Sequence, residues 1–217
     1  MVSEAALKDR ARTMLVAMTE RERWIYALPR EGTLAAITAL MAEKGIPRVA
    51  DEAEGIVARY QDERGKLNVV VFDNEQLDIV LLHGSGAGSV ATLKAVLDVT
   101  SFCAQSKLWA GALDIGNPEA TRALKILAHM MVCWDDDWVD LFVLHLASPD
   151  AIVRNEATLA LVVAAMVAQE VDPALELLAE AEKREKFPQL QETMAEATRV
   201  LRGFDGRVIT PIDSAPE

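Results

Sequence analysis

A chain of 217 residues, 51% of them hydrophobic, has enough apolar material to bury a core without disulfide or metal staples, and this excludes wholesale disorder. Its formal net charge of −12 repels phosphate backbones, so no general DNA or RNA binding is expected. Aromatic residues are only 5%, and the wealth of alanine, leucine and valine favours packed helices over a sandwich or barrel.

The charge is uneven. Between Asp135 and Lys186 stand twelve acids and four bases, about two-thirds of the net charge, whereas the first thirty residues carry six bases and four acids. The acidic half reads as a solvated face or as a docking face for a basic partner. Cys103 and Cys133 each lie in an apolar run without a C-x-x-C spacing, as packed, reduced thiols do. The N-terminus has no uninterrupted apolar segment of the secretory kind, and the longest charge-free apolar run, 157–168, is short for a membrane span. These features place the expected protein in the cytoplasm.

In chain order, Leu7, Ala11, Met14, Leu15, Met18, Ile25 and Leu28 recur at helical spacing, which predicts a helix over 3–28 ended by Pro29. Further helices are expected over 33–44, closed by Gly45, and over 48–64, closed by Gly65. Residues 67–72, β-branched and bounded by Gly65 and Asp73-Asn74, read as a strand or extended connector (67–73) between the N-terminal helices and the rest; with no evident strand partner, no sheet is expected. From Asn74 the pattern becomes a run of helix pairs: 74–83 with 89–104, 107–115 with 119–133, 137–147 with 150–169, and 173–182 with 188–201. Gly84, Gly116 and Ser148 fall at a constant interval of 32. The helix behind Ser148, apolar almost all round from Ala157 to Ala168, is expected to be the most buried. Residues 204–217 read as a tail.

Fixed-period helix pairs are how an α-solenoid is written. The string Ser148-Pro149-Asp150-Ala151-Ile152-Val153-Arg154, with Ala157 and Leu161 behind it, resembles the short bacterial form of the HEAT-like repeat family. A fainter copy runs through Pro118, Glu119 and Arg122. The resemblance covers about 74–201 and implies an all-α solenoid of stacked helix pairs, preceded by a three-helix cap over 1–66, with mainly a binding role. Pro149 loses no hydrogen bond in a first helical turn, Asp150 suits a helix N-terminus, and Arg154 can reach carbonyls or an acid in the adjacent pair.

Few strings suggest chemistry. His83-Gly84-Ser85-Gly86-Ala87-Gly88-Ser89 follows an apolar run and precedes a helical pattern, as phosphate-cradling loops do. It lacks the lysine of a GK[ST] motif, so Gly84, Gly86 and Gly88 are weak candidates for cofactor binding, and an inter-helix turn is the simpler reading. Trp134-Asp135-Asp136-Asp137-Trp138 could contact a partner, while its simpler reading is a helix cap between wedged tryptophans. His83, His129 and His145 form no metal or catalytic set, so no catalytic residue, metal or cofactor is assigned. The expected function is a non-enzymatic scaffold or adaptor for another protein, with a basic one suited to the acidic half. An acidic inhibitor of the immunity type, or a lyase or ligand-binding HEAT-like protein, are the alternatives.

Overall fold

The structure, a computed structural model, describes residues 23–49, 56–62, 66–86 and 88–204. The chain divides into two units, residues 1–102 and 103–217.

The first unit is built on a sheet. Strand β1 (Arg23–Pro29) is followed by helix α1 (Thr33–Glu43), β2 (Arg48–Val49), β3 (Ile56–Gln61), β4 (Asn68–Asn74), β5 (Ile79–Ser85) and α2 (Ser89–Val99). The five strands pair antiparallel in the order β1-β5-β4-β3-β2. Register puts Trp24, Gly84, Val69 and Tyr60 in one cross-strand row, and Tyr26, Leu82, Val71 and Ala58 in the next. Because side chains alternate along a strand, both rows share a face. There they pack with Ile37, Leu40 and Met41 of α1 and Leu93 and Val96 of α2. The opposite face is apolar as well: Ile25, Ala27, Val70 and Leu81 are buried, and the Phe72 and His83 rings meet at a tilt with centres 4.7 Å apart. Just beyond β1, Arg30 forks onto Asp73 with bonds of 2.8 and 2.9 Å, tying the ends of β1 and β4.

This sheet corrects the all-α solenoid. The part of the helix expected over 3–28 that is described, 23–28, is strand β1; the remainder lies outside the described residues. The helix expected over 48–64 is replaced by β2 and β3, and the one expected over 74–83 by β5. The connector over 67–73 is β4, hydrogen-bonded to β3 on one side and β5 on the other. Of the cap over 1–66, only α1 stands as a helix among the described residues. The physical reason is burial on both faces. Ile79-Val80-Leu81-Leu82 is buried at every position, so β5 carries no polar–apolar alternation by which to know it.

The second unit is helical where described: α3 (Gln105–Leu113), α4 (Ala120–Met130), α5 (Asp136–Leu146), α6 (Ala151–Ala168), α7 (Asp172–Glu182) and α8 (Pro188–Arg202). Short connections return the second helix of each pair against the first, making the pairs α3–α4, α5–α6 and α7–α8. Across pairs, α4 packs on α6 and α6 on α8, while α5 packs on both α3 and α7. Gly116 and Ser148 lie between helices, but Gly84 lies within β5, so the interval of 32 begins with a coincidence.

Helix α6 touches four neighbours, α4, α5, α7 and α8, through Ala157, Thr158, Ala160, Leu161, Ala164, Ala165 and Ala168. Small residues there let the neighbouring helices approach closely. Its other face is not enclosed: Ile152 is 72% and Leu159 46% exposed. Among the described residues it alone is long and apolar enough to cross a membrane, with mean hydropathy 1.6 over 18 residues. Its four packed neighbours and its charged Arg154 and Glu156 suit the central helix of a packed unit.

Candidate functional site

The tryptophan–aspartate string is largely structural. Asp135 is the N-cap of α5, its carboxylate accepting from the Trp138 amide at 3.0 Å. Trp138 is 1% exposed and meets Trp109 edge-to-face at 4.8 Å, inside the unit where no partner reaches it. Trp134 is half-buried, donates its indole N–H to Glu170 O at 2.9 Å, and lies 5.9 Å from the Phe142 ring. Of the five candidate residues, Asp135 and Asp136 are exposed and Asp137 is half-buried. Among the described residues no three of His, Cys, Asp and Glu gather as a metal would require.

The glycine string forms the connection from β5 to α2, a strand–loop–helix passage within an antiparallel sheet. A Cβ on Gly84 would stand 2.4 Å from Leu93 Cδ1, so this glycine lets α2 lie against the strand. Gly86 has φ +86°, and a Cβ there would stand 2.3 Å from the Lys66 carbonyl oxygen. Two amides at the start of α2 are engaged within the protein: Gly88 N–H donates to Lys66 O at 3.1 Å and Ser89 N–H to Gly86 O at 2.9 Å. The Ser89 hydroxyl donates to Ser85 O.

The histidines do not converge. His145 is fully buried, with Nε2 2.7 Å from Ala112 O. Only an N–H can bond a carbonyl, so Nε2 carries the proton. Nδ1 is then a bare acceptor with no partner among the described residues. Burial lowers the His145 pKa against the opposing pull of that carbonyl. Burial, with Lys125 one turn back, lowers that of His129 to about 4. Cys103 and Cys133 are half-buried and in no disulfide.

The most organised polar cluster joins the α5–α6 turn to the α7–α8 turn. Arg154 forks onto Glu185, Nε to Oε2 at 2.7 Å and Nη2 to Oε1 at 3.0 Å. Its Nη1 donates to Ser148 O at 2.8 Å and Pro149 O at 3.1 Å. Arg154 therefore reaches both its own turn and the adjacent pair. Glu185 Oε1 also accepts from the Lys186 and Phe187 amides at 2.8 and 2.9 Å. Arg154 foremost, aided by those amides, holds the Glu185 carboxyl down to about 2. Beside this clamp opens a cavity of about 310 Å³ whose walls include Leu146, Ala181, Arg184, Lys186 and Phe187. Sequence reasoning singled out Arg154 but neither Glu185 nor Phe187. A signal was present, since Lys125–Glu156 and Arg154–Glu185 both join residues 31 apart.

The second surface is the outer side of α6. Ile152, Leu159, Val163 and Met166 fall at spacings of seven, four and three, one stripe of a helix. Ile152 and Leu159 are exposed and Val163 and Met166 half-buried. Glu156 sits in the same stripe and is bound by Lys125 of α4 at 2.7 Å. Compared with known proteins, the chain matches no family model, no curated protein and no solved structure.

Proposed function

We propose that the protein is a non-enzymatic scaffold or adaptor whose helical unit binds another protein. The observation that carries this reading is the Ile152–Leu159–Val163–Met166 stripe, an apolar helix face left open on a unit with an excess of acidic residues. Covering what remains open of Ile152 (72%) and Leu159 (46%) contributes roughly 1–2 kcal/mol each, a useful part of a partner's anchor. The acidic surroundings favour a basic partner by steering its approach and rejecting acidic competitors. The resemblance to HEAT-like repeats, in this reading, concerns the helix pairs after Cys103 alone, and the reduced thiols suit the cytoplasm.

The test is capture from the native organism's lysate by the full chain and by Ile152→Asp and Leu159→Asp variants of unchanged circular dichroism. A stoichiometric partner held by the parent chain and lost from both variants is expected. A partner retained equally by the variants, or none captured by the folded parent, sinks the reading.

A further inference from the structure

We propose that the cavity between the α5–α6 and α7–α8 turns binds an acidic peptide segment in which carboxylates flank an apolar side chain. The charge inside the cavity opposes that of the chain around it. Glu185 is the one acid among its lining residues, and both of its oxygens are already engaged by Arg154 and by the Lys186 and Phe187 amides. Two lining cations keep donors to spare. Arg184 donates Nε–H to Glu180 O at 3.1 Å and its charge helps to lower the Glu180 carboxyl, but its two Nη groups are not hydrogen-bonded, and the Lys186 ammonium has no ion pair among the described residues. Incoming carboxylates thus meet two available cations and one neutralised acid.

The remaining walls choose among anions. Leu146, Ala147 and Ala181 are apolar, and Phe187 stands 54% exposed with the Arg154 guanidinium carbon 5.6 Å from its ring centre. That contact and the Glu185 bond to the Phe187 amide hold the ring as a preset wall instead of a loose surface side chain. An inorganic anion would leave this wall unused, whereas an aliphatic residue between two acids covers it. About 310 Å³ is at the lower end of pockets that hold organic ligands, and it is ample for one such side chain. With −12 on the whole chain, acidic peptides are repelled elsewhere, so their capture reports on a local site.

This cavity is independent of the α6 stripe. Arg154 follows Ile152 by two residues, about 200° around a helix, and therefore faces the opposite side. One surface can fail its test while the other stands.

The experiment is fluorescence anisotropy of the full chain with a labelled Asp-Glu-Leu-Glu-Asp peptide, beside Asn-Gln-Leu-Gln-Asn and Asp-Glu-Ser-Glu-Asp. Saturable binding of the first is expected, about tenfold weaker for each of the others. Lys186→Glu, at an exposed position, is expected to weaken it about tenfold with an unchanged thermal midpoint, and Arg184→Gln, which adds no like charge beside Glu180, to weaken it severalfold. Phe187→Ser is expected to erase the preference for leucine over serine. The proposal is overturned by an absence of saturable binding, by equal binding of the neutral peptide, or by full affinity in Lys186→Glu. Displacement of the peptide by equimolar inorganic phosphate also overturns it, since that would make the cavity a plain anion site.

Discussion

Arg154 shows how one side chain can define a repeat junction. Its guanidinium satisfies two carbonyls of its own turn and both oxygens of Glu185, whose side chain is 3% exposed. Removing the cation strands a buried carboxylate, which costs more than the pair itself contributes. Arg154→Met should therefore destabilise the helical unit by roughly 3 kcal/mol, read as a lower denaturation midpoint in urea. The double variant Arg154→Met, Glu185→Leu should recover much of the loss, because it removes the stranded charge as well. His129 provides a second residue-scale expectation. Its folded pKa of about 4 lies below the unfolded value of 6.5, so between those values the unfolded chain binds the extra proton. Stability is then full above pH 6.5 and falls as the pH drops towards 4, by of order 3 kcal/mol from this group. Glu185 adds a later loss, because its folded value of about 2 lies below 4.5 and the pair is undone only as the pH falls through that lower range. The thermal midpoint measured against pH should show the first decline below 6.5, and His129→Gln should make it shallower, the remainder belonging to buried His145, whose pKa is also lowered.

At the scale of the element, what could be read from the sequence followed the burial pattern. Helices α3 to α8 lie within a few residues of their expected bounds, because prolines, acids and glycines punctuate them. Asp150 caps α6 as expected, accepting from the Ile152 amide at 2.8 Å. The segment of β4 was legible as extended, but the sheet was not: β4 and β5 present apolar side chains to both faces, and β1 pairs with β5 across the 49 residues 30–78. No local pattern encodes such a pairing. The glycine string was legible as a special backbone, yet its meaning depends on Lys66 and Leu93, which only the fold brings to it. Gly86→Ala should therefore destabilise the first unit by about 2 kcal/mol or more through positive φ and the clash with Lys66 O, seen as a lowered thermal midpoint. If Gly86 served a ligand alone, the midpoint of the ligand-free chain would not move. The cavity's Phe187 was equally hidden, since nothing in Glu185-Lys186-Phe187-Pro188 tells a turn residue from a preset wall until Arg154 is placed beneath it.

For the whole molecule, charge decides the response to salt. Acids outnumber bases by 34 to 22, and Asp135, Asp136, Asp137 and Asp140 crowd the start of α5. Folding brings these like charges together, so screening should stabilise the folded chain. The opposing effect is weaker: exposed pairs such as Lys183–Glu180 and Arg122–Glu119 contribute little and are themselves screened by salt. The buried fork of Arg154 and Glu185 is screened least. The thermal midpoint should thus rise by a few degrees with added sodium chloride, each 1 kcal/mol counting for about 2–4 °C at this size. Preferential hydration by salt would raise it too, but without limit, whereas screening is largely complete once the Debye length falls to about 8 Å near 0.15 M. A curve that climbs early and then flattens identifies repulsion. Asp140→Lys separates the causes further, since it exchanges an i, i+4 repulsion with Asp136 for an attraction. That variant should start from a higher midpoint at low salt and gain less on screening. A midpoint that falls with salt in the parent chain would show instead that its ion pairs outweigh its excess of acid.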